Sequence, residues 1–223
     1  MKTIAHIETD FKTKFGIPRQ AGLVKTLTGK IILEETYRNS EVFRGLEGFS
    51  HIWLLWQFSE SKRDHWAATV KPPRLGGKIR MGVFATRSPF RPNPIGLSCV
   101  RLDRVELDPK DGPVLYVSGV DLLNGTPIYD IKPYIPLTDC HPEATEGFTA
   151  VTREHSLQVE FPESLLQKIP EAKRAGIIGV LEQDPRPAYD HDPERVYGVE
   201  YAGFDVRFTV KEECAVVKEI VVL

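Results

Sequence analysis

The chain has 223 residues, of which 41% are hydrophobic and 27% charged, with a mean hydropathy of -0.24 and a formal charge of -2, the balance of a folded globular protein. No apolar run approaches the ~18 residues of a membrane helix, and Met1 to Asp10 lack the apolar stretch of a secretory signal, so no membrane contact and a cytoplasmic location are expected. Three widely spaced cysteines cannot form a full disulfide framework, the histidines never pair at metal-ligand spacing, and Cys140-His141 alone supplies too few ligands, so no metal is expected.

In chain order, the first part predicts strands. Residues 22–33 hold two apolar runs broken at Thr28-Gly29, a pattern that predicts a hairpin. Phe49 to Phe58 is an aromatic-rich apolar run that predicts a buried strand. Ile79 to Ala85, Leu97 to Leu107 and Val114 to Leu123 continue as short strands between Gly/Pro loops, which points to a closed or nearly closed barrel. Beyond residue 140, Pro162 to Ile169 opens like a helix, with Pro162 near the first turn and Glu163 at its positive end. Residues 195–210 and 214–222 then predict three strands, the first two joined through Ala202-Gly203. The fold expected is mainly β: an N-terminal barrel over residues 1–140 and a small α+β module over 141–223.

Charge divides at the same place. Residues 1–140 carry 20 Lys/Arg against 15 Asp/Glu, whereas residues 141–223 carry 9 against 16. Between Val70 and Val100 stand six bases (Lys71, Arg74, Lys78, Arg80, Arg87 and Arg91) and no acid, stiffened by repeated prolines. Such a run is either a solvated face or a grip for a polyanion, and rigid arginine-bearing loops suit the second use. Dinucleotide-binding GxGxxG, Walker-type, nucleophile-elbow and HExxH patterns are all missing.

Five segments carry a resemblance: residues 15–20 (FGIPRQ), 44–53 (RGLEGFSHIW), 72–77 (PPRLGG), 82–96 (GVFATRSPFRPNPIG) and 121–134 (DLLNGTPIYDIKPY). With residues 184–189 (DPRPAY) and 203–208 (GFDVRF), they make the whole chain resemble the bacterial SAM-dependent tRNA methyltransferases acting on N6-threonylcarbamoyl adenosine beside the anticodon, the TsaA-like β-barrel family. The resemblance implies a SAM-binding barrel outside the Rossmann class, a homodimer, and methyl transfer to N6 of that adenosine in the tRNA anticodon loop. It also implies that SAM lies against Pro18, Arg19, Gln20, Ser59, Glu60, Arg87, Leu97, Asp121, Leu122, Leu123 and Asn124. Where relatives commonly have His and Asp, this chain has Ser59 and Asn124.

These residue types suit the ligand. Arg19 or Arg87 can fork a carboxylate, Leu97 and Leu122 can sandwich adenine or equally be plain barrel core, and backbone groups of residues 122–124 can read the base edge. Asp130, Lys132 and Tyr134 alternate along an extended segment and so share one face. That row is either a salt-bridged edge strand or the catalytic set. The acceptor nitrogen is urea-like, its lone pair delocalised, so a carboxylate that takes its proton helps it attack. Two other readings stand beside this one: a non-catalytic SAM- or RNA-binding regulator, and a methyltransferase for a different acceptor. For tRNA contacts the basic segment around Lys71, Arg74 and Lys78 is expected to supply charge, and Arg186 and Tyr189 loop-specific contacts.

Overall fold

A computed structural model of the chain describes residues 1–59, 65–72, 75, 79–152, 156–187 and 192–223. Its first part contains strands β1 (Ala5–Thr9), β2 (Thr28–Leu33), β3 (His51–Gln57), β4 (Thr69–Val70), β5 (Met81–Gly82), β6 (Ile95–Asp108), β7 (Gly112–Ser118) and β8 (Thr126–Pro133), followed by a short helix α1 (Pro136–Asp139). Six of these close into an antiparallel barrel in the order β1-β2-β7-β6-β3-β8, while β4 and β5 pair only with each other. Alternation explains the wall. In β3, Ile52, Leu54 and Trp56 point into the core, and His51, Trp53, Leu55 and Gln57 point out. In β6, Gly96, Ser98, Val100 and Leu102 are the inward set. Gly96 is required there because a β-carbon would lie 2.2 Å from the Trp56 ring.

The hairpin expected within residues 22–33 does not form. Only β2 is a strand, and its partners are β1, in register from Ala5↔Leu33 to Thr9↔Gly29, and β7, from Thr28↔Ser118 to Ile32↔Val114. Val24 and Leu27 are apolar for another reason: both are buried in the packing between barrel and C-terminal module. The strand expected at 79–85 shortens to β5, and the one at 114–123 ends at Ser118, where Gly119 turns the chain with φ +77°.

The second part contains β9 (Gln158–Glu160), α2 (Glu163–Leu166), α3 (Glu171–Glu182), β10 (Tyr197–Tyr201), β11 (Phe204–Lys211) and β12 (Cys214–Val222). The sheet order is β10-β11-β12-β9, with β9 parallel to β12. The helix expected at 162–169 is a single turn, and the longer α3 begins one residue after Pro170. Proline at 170 lacks the N–H that would continue α2 and disfavours helical backbone at Ile169, so the two cannot merge. Ala202 (φ 52°) and Gly203 (φ 85°) make the tight two-residue turn between β10 and β11. One apolar cluster runs through the barrel into this sheet, from Ile7, Leu54 and Leu115 to Tyr201, Val206 and Phe208.

Candidate active site

Two groups of polar side chains stand on opposite sides of the barrel wall. The inner group starts at Trp56, whose Nε1 donates to Ser98 Oγ at 2.9 Å; Ser98 Oγ in turn donates to Asp121 Oδ1 at 2.6 Å. Asp121 follows the turn that ends β7. Burial pushes its carboxyl up to about 6, although Ser98, its own and the Ala21 backbone N–H, and the Arg87 charge all oppose that shift. Arg87 Nη1 donates to Gln20 Oε1. Gln20, Arg87 and Asp121, distant in sequence, are thus drawn together by one guanidinium.

The outer group lies on β6, β3 and β8. Leu97 pairs with Leu55, which pairs with Asp130, and one row on Cys99, Trp53 and Lys132 line up in the same way. A bulge decides this. Leu55 faces Asp130 but the next residue, Trp56, faces Ile128, so Tyr129 is the extra residue. Without it, Asp130 would share the inward side of Ile128; with it, Asp130 and Lys132 point outward. Lys132 Nζ lies 2.9 Å from Asp130 Oδ2, and Tyr134 packs on Trp53 with ring centroids 5.7 Å apart. Desolvation and the nearby Cys140 raise the Tyr134 phenol above its ordinary value, so it stays protonated. Trp53 Nε1 donates to Asp139 Oδ2 at 2.8 Å, which fixes α1 beside the row.

Comparison with known proteins identifies the frame. The model of the tRNA-methyltransferase O N-terminal domain matches residues 6–140, and that of its C-terminal domain matches 154–223. The chain belongs to the tRNA-methyltransferase O family. The tRNA (adenine(37)-N6)-methyltransferase of Escherichia coli is 42% identical over 217 residues, which cover 94% of this chain and 92% of that protein. A putative S-adenosylmethionine-dependent methyltransferase of Pseudomonas aeruginosa is 40% identical across 92% of this chain and 90% of its own. A crystal structure of TrmO from Pseudomonas aeruginosa superposes with a TM-score of 0.80 at 34% identity, covering 99% of this chain and 95% of that one.

Within this tRNA-methyltransferase O fold, the cofactor residues expected from sequence do not all meet at one place. Gln20, Arg87 and Asp121 converge in the inner group. Leu97, 48% exposed, belongs to the outer face, whereas Leu122 is fully buried, so in one chain these two leucines do not form opposite walls of one adenine slot. Inward burial of Leu122 and outward alternation of Leu97 put the barrel wall between them. Asn124 holds a turn: its Oδ1 accepts from Thr9 N at 3.0 Å, and Thr126 N donates to Leu123 O at 3.1 Å around Gly125 at φ +76°. Pro18 is buried and Arg19 lines a cavity of about 110 Å³ that also faces Val180 and Asp184. Nucleoside-sized pockets run to several hundred Å³, about 300–1,000 Å³, so that cavity is too small for SAM. Ser59 is exposed after β3, and Glu60 lies outside the described residues.

The donor set of the inner group does fit SAM: a guanidinium for its carboxylate, and an amide oxygen and a carboxylate for its ammonium and hydroxyl groups. Ser98 and Trp56, which hold Asp121, were not legible as site residues because each reads as ordinary strand core. Of the basic segment, Lys71, Arg80 and Arg87 are exposed, beside exposed Trp66 and Phe84. Arg91 instead braces its own loop, donating to Thr86 O at 2.9 Å. Arg74, Lys78 and Tyr189 lie outside the described residues. Arg186 does not present itself to RNA: it is 9% exposed, and its fork is closed on Asp184 at 2.8 and 2.9 Å.

Proposed function

We propose that this chain transfers the methyl group of SAM to N6 of adenosine 37 in tRNA, with the threonylcarbamoyl-modified base as acceptor. The observation that carries the reading is the placement of the Gln20–Arg87–Asp121 group and the Asp130–Lys132–Tyr134 row back to back, joined through the neighbouring residues Ser98 and Leu97 of β6. SAM supplies an electrophilic methyl on a sulfonium. Arg87 binds its carboxylate, Asp121 presents negative charge towards its cationic end, and Gln20 adds a neutral amide oxygen beside it. Asp130 takes the proton from the acceptor nitrogen, Lys132 holds that carboxylate in place at 2.9 Å, and Tyr134 flanks the base.

A site divided between the two sides of one wall is completed most simply by a second copy, whose outer face meets the first copy's inner group. The exposed Leu97 and the outward Leu55 and Trp53 are the apolar surface such a homodimer would cover. The exposed Lys71 and Arg80 suit the phosphates of the anticodon stem-loop. The test uses tritiated-methyl SAM and tRNA with or without the threonylcarbamoyl group, followed by nucleoside analysis. Label in the N6-methylated modified nucleoside of the first tRNA only is expected. Label in another nucleoside, or equal label in both tRNAs, would overturn the acceptor assignment; a fully active monomer by sedimentation would overturn the shared site.

A further inference from the structure

Residues 10–27 connect β1 to β2 through 18 residues without a strand or helix, and they carry Pro18, Arg19 and Gln20 at their centre. Connections of that length rarely hold one shape unless something fixes them. Their far end is fixed by the barrel: Gly22 N donates to Gly119 O at 2.8 Å, Gln20 meets Arg87, and the Ala21 N–H points to Asp121. Their near end is held by the C-terminal module. Lys173 of α3 reaches Asp10 at 2.6 Å, Ala202 N donates to Asp10 O at 3.1 Å, and Phe11 packs on Tyr201 with ring centroids 5.4 Å apart.

The fit is close enough to exclude side chains. A β-carbon on Gly16 (φ +96°) would lie 2.6 Å from Val199 of β10, and one on Gly179 of α3 would lie 2.6 Å from Val24. Gly16 is already called for by its positive φ, whereas nothing in the backbone of α3 asks for glycine at 179. Gly179 stands inside a helix, where alanine is the better former, so its absence of side chain serves the contact with Val24. The sequence thus gives up helix propensity in α3 to bring the loop onto it.

We propose that the C-terminal module is a positioning part of the methyl-transfer site: α3 and β10 press residues 10–24 against the barrel and thereby set Pro18–Gln20 and the Ala21 N–H against Arg87 and Asp121. Lys173, Gly179 and Val199 are positioning residues, acting on SAM through the loop. This rests on the reading above that Gln20, Arg87 and Asp121 bind the cofactor. It assigns the module a task in cofactor binding that needs no contact between the module and RNA.

The test measures SAM affinity by calorimetry without tRNA, on the full chain, together with tRNA affinity, thermal midpoint and amide exchange of residues 10–22. Gly179→Ala introduces the 2.6 Å overlap with Val24 while favouring the helix itself. It is expected to weaken SAM binding by about fivefold or more and to speed exchange in the loop, with tRNA affinity within about twofold. Val24→Ala removes the opposing methyls, so the double variant should regain wild-type SAM affinity. Lys173→Met, which leaves the packing untouched, should weaken SAM binding by about threefold. Arg87→Ala separates the two claims. If it abolishes SAM binding while Gly179→Ala and Lys173→Met bind SAM normally, the positioning role is refuted and the cofactor site stands; if Arg87→Ala binds SAM normally, the cofactor reading fails and the proposal with it. Failure of Val24→Ala to rescue Gly179→Ala would also overturn the proposal.

Discussion

Replacing Asp121 by Asn isolates the cost of placing a carboxylate at the inner face of the barrel. Desolvation raises this carboxyl from its ordinary 3.8 to about 6, so the folded chain holds the proton more tightly than the unfolded chain does. Its contribution to stability is therefore fully present below about pH 3.8 and is lost as pH rises through about 6. Between about pH 4.5 and about pH 7.5 the loss amounts to about 2 kcal/mol, which is about 4–8 °C in thermal midpoint for a chain of this size. Asn at 121 has no proton to lose, and the other titrating groups are common to both proteins. The difference in unfolding free energy, variant minus wild type, should thus rise by about 2 kcal/mol across that interval in urea titrations. Parallel pH curves for the two proteins would refute the claim that Asp121 titrates in a desolvated site.

The same ionisation should govern the cofactor: near pH 5.5 about a quarter of Asp121 is charged, so SAM affinity should fall about fourfold from its value near pH 7.5, and Asp121→Asn should be flat with pH. Asp130→Asn should bind SAM and tRNA like the wild type while single-turnover methyl transfer falls about 10²-fold or more; normal turnover would remove the base assignment. Gly96→Ala places a β-carbon 2.2 Å from the Trp56 ring. It should cost about 1–3 kcal/mol in chemical denaturation and weaken SAM binding by displacing the Trp56–Ser98–Asp121 chain. Charge reversal at Lys71 and Arg80 should weaken tRNA binding and lower the slope of log K on log salt by about 2, with SAM affinity unchanged.

Much of the barrel could be read locally. The alternation through residues 51–57 and 95–102 reports which side chains face the core, because strand periodicity is a property of neighbouring residues. The resemblance motifs likewise pointed to Gln20, Arg87 and Asp121. What those motifs could not convey was that Leu97 and Leu122 lie on different sides of the wall, or that Arg186 is consumed by Asp184. Contacts of that kind depend on where distant strands and loops meet.

Composition, alternation, turn residues and motif content, all of them local, were enough to determine a mainly β chain with a basic, proline-stiffened segment and a smaller acidic module. Closure of the barrel decided the rest. β2 pairs with β1 and not with residues 22–27, whose Val24 and Leu27 are buried against α3 of the C-terminal module. The Tyr129 bulge, set by the register of β8 on β3, turned Asp130 outward. Desolvation of Asp121 arises only in the assembled fold, where hydrogen bonds from Ser98 and the Ala21 N–H partly offset it. Register, burial and dielectric environment are properties of the assembled wall, so no window of sequence contains them.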